Sequence, residues 1–421
     1  MFERSVLPNG LRVLTAPMPG TRSASVGIFV GTGSRHEDEA HAGASHFLEH
    51  MLFKGTAKRP DPELVSGAIE SVGGLMNAST DREATIYYAK VGAAHMALAL
   101  DVLADMVAAP LLDGTEMERE RGVVIEEIAM TYDQPDAIAD MLLDEALWPE
   151  QAMGRDIAGT KESVGGITRA QLRDYHARQY TPANMVVAVA GAVTHQEVLQ
   201  EAERLLGGLP AGSAPLAWLP ADEGPAGDRV KVYRKRTDQA HIALATPGIA
   251  SDAPGRPASD LLNVILGEGM TSRLFLEVRE RGGLAYDIHS AAMHYRDTGA
   301  MTVYCGTDPS KVDAALRAVL GQFASLAGGV PEEEAARALS YAVGRLDLRL
   351  EDSRAVMGWV GGQELLRERV RTPDEVVADL RAVNTKDLAA AAGRLLVHAD
   401  KRLAIVGPFA SEARFRKLLA A

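Results

Sequence analysis

Ala44-Ser45-His46-Phe47-Leu48-Glu49-His50-Met51-Leu52 can be laid over Ala258-Ser259-Asp260-Leu261-Leu262-Asn263-Val264-Ile265-Leu266 at an offset of 258 − 44 = 214 residues. The apolar positions agree between the two stretches, and the polar trio of the first does not recur in the second. Further on, Thr168, an apolar run from Met185 to Val189 and then Gly191 return as Thr385, Leu403 to Val406 and Gly407. The offsets there are 385 − 168 = 217 and 407 − 191 = 216. Two collinear matches at nearly one offset point to an internal duplication of a domain built from strands and helices. The Gly- and Pro-rich stretches Leu206 to Pro215 and Pro220 to Gly227 lack periodicity and read as the linker. The expected division is a first domain over 1–210, a linker over 211–228 and a homologous second domain over 229–421.

Working outward, Asn9-Gly10 between two apolar alternations predicts a hairpin, and Ala24 to Val30 predicts a strand. A helix is expected from about Ala42 to Phe53. Gly74 to Lys90 reads as strand, turn, strand, with Thr and Tyr suiting a pleated surface. Helical patterns dominate from Ala94 to about Tyr180, broken near Pro110, Pro135 and Pro149.

The chain of 421 residues is 47% hydrophobic and 24% charged, which excludes a disordered or low-complexity protein. Its formal charge is 44 − 57 = −13, so a nucleic-acid partner is not expected, while cationic peptides are compatible. The apolar stretches reach about half the roughly 20 residues that cross a bilayer, so no membrane partner is expected either. The opening Met1-Phe2-Glu3-Arg4-Ser5 lacks the pattern of a secretory signal, and a cytoplasmic location is the default expectation. Cys305 is the only cysteine. Any bound metal therefore has to be held by His and carboxylate.

His46-Phe47-Leu48-Glu49-His50 is H-x-x-E-H. At about 100° per residue, all three polar side chains project from one helix face. Two imidazoles at i and i+4 can hold a zinc ion while the carboxylate takes a proton from water. A solvated helix face carrying the same residues is the bland alternative, and the apolar Phe47, Leu48, Met51, Leu52 and Phe53 around the trio weigh against it. A catalytic zinc usually has a third protein ligand. Glu116 to Ile128 offers Glu120 and Glu127, seven apart on one face, with Glu126 turned about 100° from Glu127. An exposed charged helix produces the same pattern.

Together, the inverted H-x-x-E-H, the Glu118-Arg119-Glu120-Arg121-Gly122-Val123-Val124-Ile125-Glu126-Glu127 run, the Gly73-Gly74 to Tyr88 segment and the duplicated halves resemble the M16 (pitrilysin-type, inverzincin) metallopeptidases. In size the chain is most similar to the mitochondrial processing peptidase and its two-domain bacterial relatives. The resemblance implies an α+β fold of two homologous domains, each a mixed, mainly antiparallel sheet packed with helices. It implies a zinc endopeptidase acting on short or unfolded polypeptides, with Zn2+ held by His46, His50 and Glu127. Glu126 is the runner-up ligand, Glu49 the general base, and Glu120 a support that orients a ligand. In the second half, Arg279 and Tyr286 resemble the family's Arg and Tyr pair, which would donate to a substrate carbonyl or oxyanion and join the site on domain closure. Asn77 and Ala78 match the edge strand on which the family lays a peptide substrate. With both residue sets in one chain, a self-sufficient homodimer is expected. The rivals are a non-catalytic peptide-binding or scaffold subunit of a hetero-oligomer, and a heterodimer whose partner supplies the Arg and Tyr.

Overall fold

A computed structural model of the chain describes residues 2–212, 214–222, 229–367 and 369–420. Of the expected linker, 213 and 223–228 lie outside the described residues. The chain forms two compact units, each drawn from three stretches. The first takes Met1–Ile128, Asp156–Leu219 and Asp347–Thr372, and the second Ala129–Arg155, Pro220–Leu346 and Pro373–Ala421.

In the first unit, strands β1 (Glu3–Val6), β2 (Arg12–Pro17), β3 (Ser23–Val30), β4 (Leu75–Thr80), β5 (Thr85–Gly92) and β6 (Met185–Gly191) pair in the order β1-β2-β6-β3-β5-β4. All neighbours are antiparallel except β2 and β6. The hairpin read from Asn9-Gly10 is present, with Gly10 at φ 91°, a left-handed position that costs glycine nothing. Strand alternation divides β3 between two cores: Val26, Ile28 and Val30 face one, and Phe29 faces the other. On the first face lie the helices Ala44–Leu52 and Met96–Ala108. On the second lies the helix Ser353–Arg367, through Val356, Met357 and Val360.

In the second unit, β7 (Val230–Arg234), β8 (Ala240–Pro247), β9 (Ala285–His294), β10 (Gly299–Thr307) and β11 (Arg402–Gly407) pair in the order β7-β11-β8-β10-β9. This is the order β2-β6-β3-β5-β4 repeated, again with one parallel pair, β7 with β11. Val26 pairs Val189 where Ile242 pairs Ile405, and Gly27 pairs Tyr88 where Ala243 pairs Tyr304. Each correspondence has an offset of 216 (242 − 26, 405 − 189, 304 − 88). The structure also moves one sequence match by a residue: Thr168 and Asn384, 384 − 168 = 216 apart, are the two helix N-caps, and Thr385 is the first helical residue.

The units do not follow the continuous division at 1–210 and 229–421. Helix Ser353–Arg367 covers the first sheet, and helix Pro135–Leu147 covers the second through Ile138, Ala139 and Leu143 against Ala243, Ala245, Ala404 and Val406. The cause is packing complementarity. Small residues on β8 and β11 admit one helix closely, and Gly27 and Gly361 admit the other. A Cβ at 361 would stand 2.3 Å from the Phe29 ring, and one at 27 would stand 2.6 Å from Met357 Sδ. Polar anchors then fix each helix: Arg4 donates to the Glu364 carboxylate at 2.9 and 3.0 Å, and Arg402 Nε donates to Ala146 O at 2.9 Å. Such exchange leaves no composition signal, so a linker-based division misses it.

Gly361→Ala is therefore expected to destabilise the protein by about 1–3 kcal/mol through overpacking, although alanine favours helices. Urea unfolding checks this, and an unchanged or higher midpoint would contradict the close approach.

Candidate metal and catalytic site

The helix Ala44–Leu52 has one apolar face, Ala44, Phe47, Leu48, Met51 and Leu52, all buried in the first core. His46, Glu49 and His50 occupy the other side because i, i+3 and i+4 positions share a face. Its N-terminus follows Gly43, at φ 92° and so close to Ala158 O that a Cβ would stand 2.4 Å away. The buried Glu37 carboxylate accepts from Gly43 N at 2.8 Å and Ser45 N at 2.6 Å. A carboxylate there satisfies orphan donors and opposes the positive end of the helix dipole.

The helix Gly114–Asp133 buries Met117, Glu120, Val124 and Ile128. That face, two turns long between Glu120 and Glu127, brings both carboxylates to the histidine pair, while Glu126 is exposed. Arg121 joins the two helices: its guanidinium lies 5.3 Å over the Phe47 ring and donates to Ile167 O at 2.9 Å.

Glu127 Oε2 stands 3.7 Å from His46 Nε2 and 3.5 Å from His50 Nε2. One ligand atom from each residue lies within 4.8 Å of the others, and among the described residues no other group of three His, Cys, Asp or Glu does so. Those separations are too long for hydrogen bonds. They match the edge of a tetrahedron around zinc, roughly 3.4 Å for bond lengths near 2.05 Å. The donor set, two imidazoles and a carboxylate, is also one that zinc takes, so the residues present fit the ion.

Protonation points the same way. The two rings are 4.7 Å apart between centroids and crossed at 72°. Burial, then the neighbouring His50, pushes the His46 pKa down to about 4, so at neutral pH it is an uncharged lone-pair donor. His46 Nδ1 is buried without a hydrogen-bond partner. His50 Nδ1 faces Glu120 Oε2 at 3.2 Å, and Glu120 Oε1 accepts from Lys54 Nζ at 2.6 Å. An Nδ1–H donated to Glu120 leaves His50 Nε2 as the ligating atom.

Glu49 is pushed above the usual carboxylate range by burial and by Glu127, opposed by the Thr80 hydroxyl, which donates to its Oε2 at 2.5 Å. Thr80 ends β4, the edge strand of its sheet, and Asn77 and Ala78 lie on that same strand. Asn77 is exposed, and its Oδ1 accepts from Ala78 N at 2.8 Å. In the second unit, Arg279 in the wide helical turn Phe275–Arg281 and Tyr286 on β9 come together, with the guanidinium 5.2 Å over the phenol ring. Tyr286 is 75% exposed.

The second unit has a different polar set where the first has its trio. Asp260 Oδ1 lies 3.0 Å from His294 Nε2, and Asn263 Oδ1 accepts from Ser290 Oγ at 2.6 Å. The sequence reading missed Lys54, Thr80, Glu37 and Tyr175, the last a buried residue whose hydroxyl lies 2.7 Å from Ser45 Oγ at the start of the site helix. Lys54 had a usable signal, because it lies four residues after His50 and so one turn further along the same face. The others reach the site only through tertiary folding.

Comparison with known proteins places the chain in a family. The family model described as Insulinase (Peptidase family M16) matches residues 12–161, and that described as Peptidase M16 inactive domain matches residues 166–341. An uncharacterized zinc protease of Streptomyces coelicolor is 37% identical over 96% of this chain and 89% of its own length. The beta subunit of the mitochondrial-processing peptidase of Saccharomyces cerevisiae is 32% identical over 91% of this chain and 86% of its own length. The chain belongs to the M16 peptidase family. Among solved structures, a protease from Helicobacter pylori superposes with a TM-score of 0.91 at 21% identity, covering 97% of this chain and 99% of that one, which establishes the shared fold.

Since folded His46 stays neutral to about pH 4 and an unfolded histidine protonates near 6.5, the unfolded state binds more protons between those values. Stability of the chelator-treated protein should fall as pH drops through that window, by up to about 1.4 kcal/mol per pH unit from this group, and level off below it. Urea midpoints from pH 7.5 to 4.5 for wild type and His46→Gln check this. Equal slopes would contradict the buried neutral imidazole.

Proposed function

We propose that this chain is a zinc-dependent endopeptidase hydrolysing short or unfolded polypeptides. The observation that carries the reading is the convergence of His46 Nε2, His50 Nε2 and Glu127 Oε2 beside a carboxylate on the same helix face. The names of the relatives support zinc as the metal.

His46, His50 and Glu127 would hold the ion, and Glu120 with Lys54 would keep His50 in the tautomer that presents Nε2. A bound zinc ion supplies Lewis-acid chemistry, polarising a carbonyl and lowering the pKa of water. Glu49, with Oε2 held by Thr80, has its second oxygen to take a proton from the attacking water and pass it to the leaving amine. Its desolvated setting, which raises its proton affinity, suits that exchange. As the edge strand of its sheet, β4 can accept an extended peptide along Asn77 and Ala78 with little demand on its side chains, the peptide's carbonyl replacing Asn77 Oδ1 as the acceptor of the Ala78 N–H. Such recognition favours unfolded substrates, whose backbone is available. Arg279 and Tyr286 supply a guanidinium and a phenol, donor types suited to a developing oxyanion.

Zinc-loaded wild type should cut members of a peptide library and stop when chelated. Glu49→Gln should keep about one zinc per chain and lose roughly 100- to 10,000-fold in kcat. Glu127→Gln should lose both zinc and cleavage. Metal analysis with a timed digest reads all of these. A zinc-loaded wild type that leaves the library intact would instead mark a non-catalytic peptide-binding subunit.

A further inference from the structure

The site helix is tied to the sheet at both ends by one run of hydroxyl groups. Ser45 Oγ lies 2.7 Å from Tyr175 Oη, which lies 2.7 Å from Thr32 Oγ1. The carbonyl of Thr32 accepts from Thr85 Oγ1 at 3.0 Å, and Thr85 Oγ1 lies 3.4 Å from Thr80 Oγ1. Thr80 Oγ1 then donates to Glu49 Oε2 at 2.5 Å. Thr32, Ser45, Thr85 and Tyr175 are all buried.

The direction of the last bond follows from the donors available. Thr85 has one hydroxyl proton and donates it to Thr32 O. Thr80 is left with its own proton and two partners, a hydroxyl at 3.4 Å and a carboxylate at 2.5 Å. The closer and more basic acceptor takes it, giving a hydrogen bond to a charged group, the stronger kind. With Oε2 held in this way, the other carboxylate oxygen is the one presented for proton transfer, and the carboxylate's last torsion, otherwise broad, is restrained by the Thr80 hydroxyl together with the Thr80 backbone.

We propose that Thr80 is the positioning residue of Glu49, its hydroxyl fixing the carboxylate's orientation and tying the general base to the edge strand β4. The inference rests on the endopeptidase reading, since it concerns the same site. Thr80 is two residues from Ala78 on that strand, so a peptide paired along Asn77 and Ala78 would be registered against the same element that aims the base. Substrate position and base position would then share one rigid reference, the arrangement that keeps a reacting geometry within a few tenths of an ångström. The Thr80 hydroxyl has Glu49 and Thr85 as its partners, so on this proposal it acts through Glu49.

The test is steady-state kinetics on a peptide taken from the library digest, using zinc-loaded wild type, Thr80→Val, Thr80→Ser, Glu49→Gln and the Glu49→Gln/Thr80→Val double variant. Zinc content and thermal midpoint are measured alongside. Thr80→Val keeps the shape and removes the donor, and should lower kcat roughly 10- to 100-fold with KM nearly unchanged. Its zinc content and melting should match wild type. Thr80→Ser restores the donor and should restore most of kcat. In the Glu49→Gln background, Thr80→Val should add no further loss, because its effect passes through the missing carboxylate. The proposal is overturned if Thr80→Val turns over like wild type, if Thr80→Ser is as slow as Thr80→Val, if zinc is lost with activity, or if the double variant shows the full additional loss. A wild type that is inactive at full zinc loading overturns the endopeptidase reading itself, a separate failure from any of these.

Discussion

Burial, and then the neighbouring His50 ring 4.7 Å away between centroids, disfavours a charged His46. Neutrality of His46 follows, and with it a buried lone pair aimed where His50 and Glu127 also aim. The rest of the first unit can be understood as what holds that pair in place. Glu37 sets the start of their helix, Phe47 and Leu48 bury its back, and Arg121 ties the carboxylate-bearing helix to it. Glu120 and Lys54 complete a charged chain behind His50. Each of these contacts would be an ordinary stabilising feature alone. Together they bring the donor atoms to separations longer than a hydrogen bond and close to those that a shared cation would set.

The duplication repeats the framework without the histidine pair. Five strands of the first sheet recur in the same order in the second, with the central ladders in the same register, and both sheets lie under a helix drawn from the other half of the sequence. Where the first unit has a histidine pair and a carboxylate, the second spends its polar residues on internal bonds, Asp260 with His294 and Asn263 with Ser290. The apolar positions stay alike because they carry the packing. The polar ones were free to diverge because they do not.

How much of this was legible in the sequence depended on the range of the interaction. The hairpin at Asn9-Gly10, the strand pair from Gly74 to Lys90 and the histidine-bearing helix are local patterns, and all are present. Glu127 was favoured over Glu126 by the family resemblance, and helical phase agrees: it turns 127 toward the histidines and leaves 126 exposed. Thr80 and Tyr175 were invisible because their partners Glu49 and Ser45 are 31 and 130 residues away, and Glu37, only six and eight residues from the amides it caps, because the loop that turns it back carries no capping pattern. The exchange of Pro135–Leu147 and Ser353–Arg367 was invisible for a similar reason, since an apolar helix face does not say which sheet it covers.

Two imidazoles and one carboxylate sharing a zinc ion is the arrangement on which the proposed chemistry depends. X-ray absorption at the zinc edge of the purified, zinc-loaded protein tests it most directly. Binding through His46, His50 and Glu127 gives nearest neighbours of nitrogen and oxygen only, at about 2.0–2.1 Å, with the more distant scattering of two imidazole rings. A sulfur scatterer near 2.3 Å, or a shell without imidazole, would contradict it.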